Sequence, residues 1–176
     1  MNYATIKKRD IANGTGVRVS LFVSGCTHHC KNCFNKETWD FSYGEKFTED
    51  TEQLILDYLA PDFVNGLSLL GGEPFEVQNQ EVLTKLLRKV KTLYNQKDVW
   101  CYTGYLFDEH LLKNSRARGE FTDEMLSYID VLVDGPYVEE LKDISLQFRG
   151  SSNQRVIDVK RSLSTNTIVL WDKLMK

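Results

Sequence analysis

Three of the four cysteines fall within eight residues, as Cys26, Cys30 and Cys33 in the stretch SGCTHHCKNCFN, and the fourth, Cys101, stands alone. Thiolates are soft ligands that suit zinc, copper(I) and iron-sulfur clusters, so the spacing Cys-x3-Cys-x2-Cys asks which metal three close sulfurs would select. A structural zinc ion takes four protein ligands, and the fourth here would be His28, His29 or Cys101. A cubane cluster has four irons, and three cysteines leave one iron open to a small molecule, which suits catalysis rather than electron relay. Both readings stand on this motif alone.

A second motif, Gly71-Gly72-Glu73-Pro74, begins 38 residues after Cys33. Without a Cβ, a glycine lets backbone N–H and C=O groups approach a ligand closely, an amino-acid moiety among them. The alternative for Gly71-Gly72 is a plain turn out of a strand.

The elements that position these motifs follow from hydrophobic pattern and punctuation. Val17 to Val23, preceded by the turn signal Asn13-Gly14-Thr15-Gly16, reads as a strand that runs into the cysteine loop. Gly66 to Leu70 is a second strand, opening onto Gly71-Gly72. Both motifs thus lie at C-terminal strand ends, where α/β proteins place ligands. Between these strands Thr48 caps a helix whose apolar face is Leu54, Ile55, Tyr58 and Leu59, ended by Ala60-Pro61-Asp62. Asn79 to Asn95 carries a helical stripe of Val82, Leu83, Leu86, Leu87, Val90, Leu93 and Tyr94, leaving Lys85, Arg88, Lys89 and Lys91 to solvent. Val99 to Thr103 is a third strand, followed by a polar helical stretch around Asp108 to Asn114, and Ile129 to Val133 is a fourth. Strands alternating with helices predict an α/β fold with a parallel sheet. Beyond Glu139 the pattern weakens, and Arg155 to Val159 and Thr167 to Trp171 are each expected as an edge strand or part of a terminal extension over about residues 140–176.

A chain of 176 residues is long enough for one domain with its own core, and a single domain is expected. Hydrophobic residues at 41% and charged residues at 27% argue against disorder, and no repeat breaks the sequence. The net charge of -3 argues against nucleic acid as a partner. No apolar run reaches the ~20 residues of a membrane span, and MNYATIKKRD is too polar for a secretory signal, so a cytoplasmic protein is expected. In a reducing compartment a tight cysteine cluster points to metal or redox chemistry rather than to disulfides.

Taken together, the cysteine loop and GGEP resemble the radical S-adenosylmethionine superfamily. Within it the chain is similar to the family of proteins that activate anaerobic ribonucleoside-triphosphate reductases, through DIANGTGVRVSLFVSGCTHHCKNCFNKETW, LLGGEPF, CYTGY, VLVDGPYVEELKD and RGSSNQR. The resemblance implies a partial (βα) barrel with the cluster at the C-terminal strand ends. It also implies an activity: a reduced 4Fe-4S cluster cleaves S-adenosylmethionine to a 5'-deoxyadenosyl radical, which takes a hydrogen from a glycine of the reductase. The implied partners are the glycine loop of the reductase large subunit and a reduced flavodoxin-like or ferredoxin-like electron donor. Two alternatives remain: an activator of another glycyl radical enzyme such as pyruvate formate-lyase, whose chains are usually longer, and a non-catalytic zinc-binding module.

Site residues follow from the same resemblance. Cys26, Cys30 and Cys33 would ligate three irons, and the amino and carboxylate groups of S-adenosylmethionine the fourth. Gly71, Gly72 and Glu73 would hold the methionine end; Thr103, Gly104 and Asp134 are candidates for ribose or amino-group contacts. Many superfamily members carry an aromatic just before the last cysteine, where this chain has Asn32; Phe34 follows instead, either near the adenine or as a core aromatic. His28 and His29 read as loop residues, and Cys101 as a small buried hydrophobe within a strand. Arg149, Asn153, Gln154 and Arg155 either face the partner or satisfy loop backbone groups.

Overall fold

The computed structural model describes residues 1–173. In chain order its elements are β1 (Asn2–Asp10), β2 (Val17–Val23), β3 (Glu45–Lys46), α1 (Glu49–Leu59), β4 (Val64–Gly71), α2 (Val77–Leu93), β5 (Asp98–Tyr102), α3 (Thr122–Tyr128), β6 (Val131–Asp134), β7 (Arg155–Asp158) and α4 (Val159–Thr165). The strands form one sheet in the order β3-β1-β2-β4-β5-β6-β7. Its centre, β2-β4-β5-β6, is parallel, as the alternating pattern predicts. Antiparallel pairs flank it, β1 against β2 and β3 on one side and β7 against β6 on the other, and the sheet is open.

Strand side chains alternate between faces, so each strand divides its residues between two environments. One face is apolar. Val19, Leu21 and Val23 of β2, Leu67 and Leu69 of β4, and Val99 and Cys101 of β5 share a core with Ile55 and Leu59 of α1 and with Leu83, Leu86, Leu87 and Val90 of α2. The opposite face is mixed. It holds a small cluster of Trp100, Val131, Val133 and Val156, with Phe148 and Trp171 packed against it. Arg18, Ser20 and Ser68 are also buried on this face. Arg18 is fully buried and its charge is compensated: it pairs with Asp98 at 2.6 Å, donates to Ser68 Oγ at 2.7 Å and lies over the Trp100 ring.

Several elements depart from expectation. Thr48 caps α1 reciprocally with Thr51, but the buried stripe is Ile55, Leu56 and Leu59, and Leu54 is exposed because it sits a quarter turn off that stripe. On α2, Lys91 is not a solvent residue: it bonds Asp130 at 2.6 Å and fastens the helix to the turn before β6. The stretch expected as helix near Asp108 is a single wide turn, Phe107–Leu111. Thr167 to Trp171 makes only a bridge from Leu170 to Ile157 rather than a strand, whereas Arg155–Asp158 is the expected edge strand. Four elements carry no clear sequence signal, namely β1, β3, α3 and α4. β1 is a polar ribbon between the two-residue β3 and β2 in which only Asp10 is buried, so it lacks the apolar alternation that marks a strand.

Candidate functional site

The cysteine loop leaves β2 at Ser24 and the glycine turn leaves β4 at Gly71, and because these strands are paired neighbours the two motifs meet. Backbone bonds stitch them together: Gly72 N donates to Val23 O at 2.7 Å, and Glu73 N donates to Gly25 O at 2.8 Å. A Cβ on Gly72 would lie 2.6 Å from Gly25 O and 3.0 Å from Thr38 O. The glycine at this position therefore makes room for the cysteine loop itself. Gly71 has φ +103°, and a Cβ there would strike the Phe22 backbone.

Glu73 is the hub of the arrangement and only 1% exposed. Its Oε1 accepts from Phe75 N and from Thr103 Oγ1, both at 2.8 Å. Its Oε2 accepts from Gly104 N at 2.8 Å and lies 2.8 Å from His28 Nε2. One carboxylate thus gathers the cysteine loop, the glycine turn and the end of β5. Gly104 fits the same logic, since a Cβ there would lie 2.7 Å from the His28 ring. Thr27 adds a second tie, bonding Glu76 through both its N–H and its hydroxyl.

The loop between the cysteines is shaped by two residues at positive φ, His29 at +51° and Asn32 at +57°. Asparagine tolerates this left-handed region, which penalises bulky side chains, and Cys33 N closes the turn onto Cys30 O at 3.2 Å. That is a local reason for Asn32 where an aromatic is common.

Cys26, Cys30 and Cys33 line a single cavity of about 440 Å³ together with Phe34, Gly71, Gly72, Glu73, Thr103 and Gly104. Asn32 and Asp134 are not part of that lining. Asp134 is buried, and its carboxylate is taken up by Arg155 at 2.5 and 2.9 Å and by Phe107 N at 2.8 Å; this pairing pushes the Arg155 guanidinium above its ordinary range. Phe34 is no core aromatic: it is 75% exposed at the cavity, with its ring 5.9 Å from Tyr137. Cys101 is buried among the helix-facing core residues, away from the cavity.

All four thiols are free. Burial pushes the Cys26 thiol up to about 12, and it raises Cys30 as well, partly offset by a backbone bond from Tyr137. A bound metal reverses this preference, because thiolate is the ligating form. Among the described residues no three His, Cys, Asp or Glu side chains converge on a single-ion site. Three soft donors around one cavity fit a cluster that spreads its irons, and His28, the imidazole lining the same cavity, has its Nε2 engaged by Glu73.

Sequence reasoning missed several lining residues. His28, Trp39, Tyr102, Tyr137 and Arg149 all face the cavity. All five lie in segments singled out beforehand, but only His28 and Arg149 were weighed by name and none as a cavity residue, because which side chains face one space appears only when distant loops meet.

A family model described as a 4Fe-4S single cluster domain matches residues 12–157. The chain is 45% identical over 156 residues to the anaerobic ribonucleoside-triphosphate reductase-activating protein of Haemophilus influenzae, covering 88% of this chain and 96% of that one. The protein of the same name from Enterobacteria phage T4 is 40% identical over 171 residues, 97% of this chain and 98% of that one. The Escherichia coli K12 protein of that name is 42% identical over 158 residues, 89% and 97% respectively. With the cysteine loop and glycine turn brought to one cavity and similarity running through nearly the full length, the chain belongs to the family of anaerobic ribonucleoside-triphosphate reductase-activating proteins.

Proposed function

We propose that this protein activates an anaerobic ribonucleoside-triphosphate reductase by generating a glycyl radical on it. The observation that carries the reading is the meeting of Cys26, Cys30 and Cys33 with the Gly71-Gly72 turn around one cavity. The three thiolates would hold a 4Fe-4S cluster, leaving one iron for S-adenosylmethionine. When bound, the cluster supplies the electron that cleaves the sulfonium and releases a 5'-deoxyadenosyl radical, which takes hydrogen from a glycine of the reductase.

The chain's own part is ligation, positioning and exclusion of water. Backbone at Gly71 and Gly72 would flank the methionine end of the cofactor, and Phe34 would lie against the adenine from the cavity mouth. Glu73, Thr103 and Gly104 act through the carboxylate network that fixes the two loops. Asp134 acts further back, through Arg155, on the end of β6. Asn32 sets the backbone next to Cys33. The open sheet is read as the partial barrel of the radical S-adenosylmethionine type in a single domain, with residues from about 140 onward closing over its cavity. The setting is the cytoplasm, and the electron donor a reduced flavodoxin-like or ferredoxin-like protein. No helix among the described residues is long and apolar enough to cross a membrane.

The test uses a reductase labelled with α-deuterated glycine. After anaerobic reduction with the activator and S-adenosylmethionine, the 5'-deoxyadenosine should carry deuterium and a glycyl radical signal should appear on the reductase. Pyruvate formate-lyase under the same conditions should give no radical. Absent deuterium transfer, or equal activation of the lyase, would defeat the reductase assignment; a colourless, iron-free protein holding zinc would defeat the cluster.

A further inference from the structure

Glu76 sits at the N-cap position of α2, where a serine, threonine, aspartate or asparagine ordinarily accepts from an N–H of the first turn. It makes no such bond, and the first turn of α2 carries no acidic residue either. The side chain reaches across to the cysteine loop instead: its Oε1 accepts from Thr27 N at 2.8 Å and from Thr27 Oγ1 at 2.6 Å. The helix thus begins without a side-chain cap, and the carboxylate serves the residue next to Cys26, 49 positions away in the chain. A local rule set aside for a distant contact is what a functional position shows.

The three cysteines are held in different ways. Cys33 N closes onto Cys30 O, so a turn of their own loop joins the second and third. Cys26 is fixed from outside. On one side Gly25 N donates to Thr38 O at 2.8 Å and Cys26 N to Trp39 O at 3.3 Å. On the other side Glu76 holds Thr27 and Glu73 holds His28. Glu73 also serves Phe75, Thr103 and Gly104, whereas the Glu76 carboxylate accepts from Thr27 alone among the described residues. Burial pushes the Cys26 thiol up; a backbone bond from His28 opposes that push, and the charges of Glu73 and Glu76 add to it. We propose that Glu76 is a positioning residue for Cys26: by fixing Thr27 through two bonds, it sets the direction in which the first ligand presents its sulfur to the cluster. This rests on the cluster reading given above. Groups that orient a metal ligand from behind govern how tightly the metal is held.

The test follows the cluster rather than turnover. Wild type, Glu76→Ala, Glu76→Gln and Thr27→Val are reconstituted with iron and sulfide in the absence of oxygen. For each, four quantities are recorded: iron content, the rate of iron loss to a chelator, the electron paramagnetic resonance spectrum of the reduced cluster, and the urea midpoint of the iron-free protein. Glu76→Ala should lose iron about 10-fold faster than wild type, the lower end for groups that orient a metal ligand because these bonds are exposed, and its spectrum should change. Its urea midpoint should stay close to that of wild type, since α2 loses no cap. Glu76→Gln keeps an acceptor oxygen for Thr27 and should restore the wild-type rate and spectrum. Thr27→Val, which keeps the N–H and loses the hydroxyl, should fall between them, and decides the matter if Glu76→Ala does not fold. Wild-type rates and spectra in both Glu76→Ala and Thr27→Val would overturn the assignment and leave the cluster reading standing, as would a lowered urea midpoint with an unchanged spectrum. A wild type that takes up no 4Fe-4S cluster would overturn the cluster reading and this inference with it.

Discussion

His28 Nε2 lies 2.8 Å from Glu73 Oε2, a bond that ties the loop carrying the cysteines to the glycine turn of the neighbouring strand. Because the same carboxylate also accepts from Phe75, Thr103 and Gly104, the pair belongs to one buried network. Removing Glu73 would strand several donors at once. Glu73→Ala should cost at least about 2 kcal/mol and His28→Ala about 1 kcal/mol, with a coupling of about 1 kcal/mol in the double-mutant cycle. Urea titration of the four proteins measures it, and strict additivity would mean the contact contributes nothing.

The cysteines divide by location. Cys26→Ala, Cys30→Ala and Cys33→Ala should each fail to retain a full cluster and lose cleavage of S-adenosylmethionine, because each removes one of the three proposed thiolate ligands. Cys101→Ala, altering a buried strand residue, should keep the cluster and cost about 1 kcal/mol of stability. Iron and sulfide analysis with chemical denaturation separates the two groups; cluster loss in the Cys101 variant alone would contradict the ligand set.

Gly72 can be read as the place where backbone meets ligand, and on that basis a side chain there would affect cofactor binding alone. The 2.6 Å approach of its Cβ position to Gly25 O gives a different expectation. Gly72→Val should displace the cysteine loop, lowering cluster content as well as cofactor affinity, and Gly72→Ala should do so in milder form. Reconstituted iron content is the deciding measurement: full occupancy with weakened cofactor binding would restore the simpler reading.

At Asn32 the backbone adopts φ +57° between Cys30 and Cys33. Asn32→Val should destabilise the protein by about 1–2 kcal/mol through the left-handed conformation, while Asn32→Gly should be close to neutral. If urea midpoints showed the valine variant as stable as the glycine one, the turn would have another conformation in solution.

The cysteine loop, the glycine turn and their placement at the ends of two strands were legible in the sequence. Three thiols at short spacing, a glycine pair at the mouth of the next strand, and alternating strand and helix patterns are local signals, because ligand spacing, apolar periodicity and turn residues are written within a few neighbours. Relations between distant segments emerge only in the folded chain. β1 is a strand because β2 and β3 offer it partners, which its own polar residues do not announce. Glu73 turns out to serve protein donors from three loops, and Gly72 to accommodate Gly25. That Gln154 holds Gly150, Ser151 and Gly135 while Arg155 holds Asp134 and Asp108 appears only once the loop has closed. Burial and hydrogen-bond satisfaction depend on what arrives from elsewhere in the chain, so no reading of neighbouring residues can assign them.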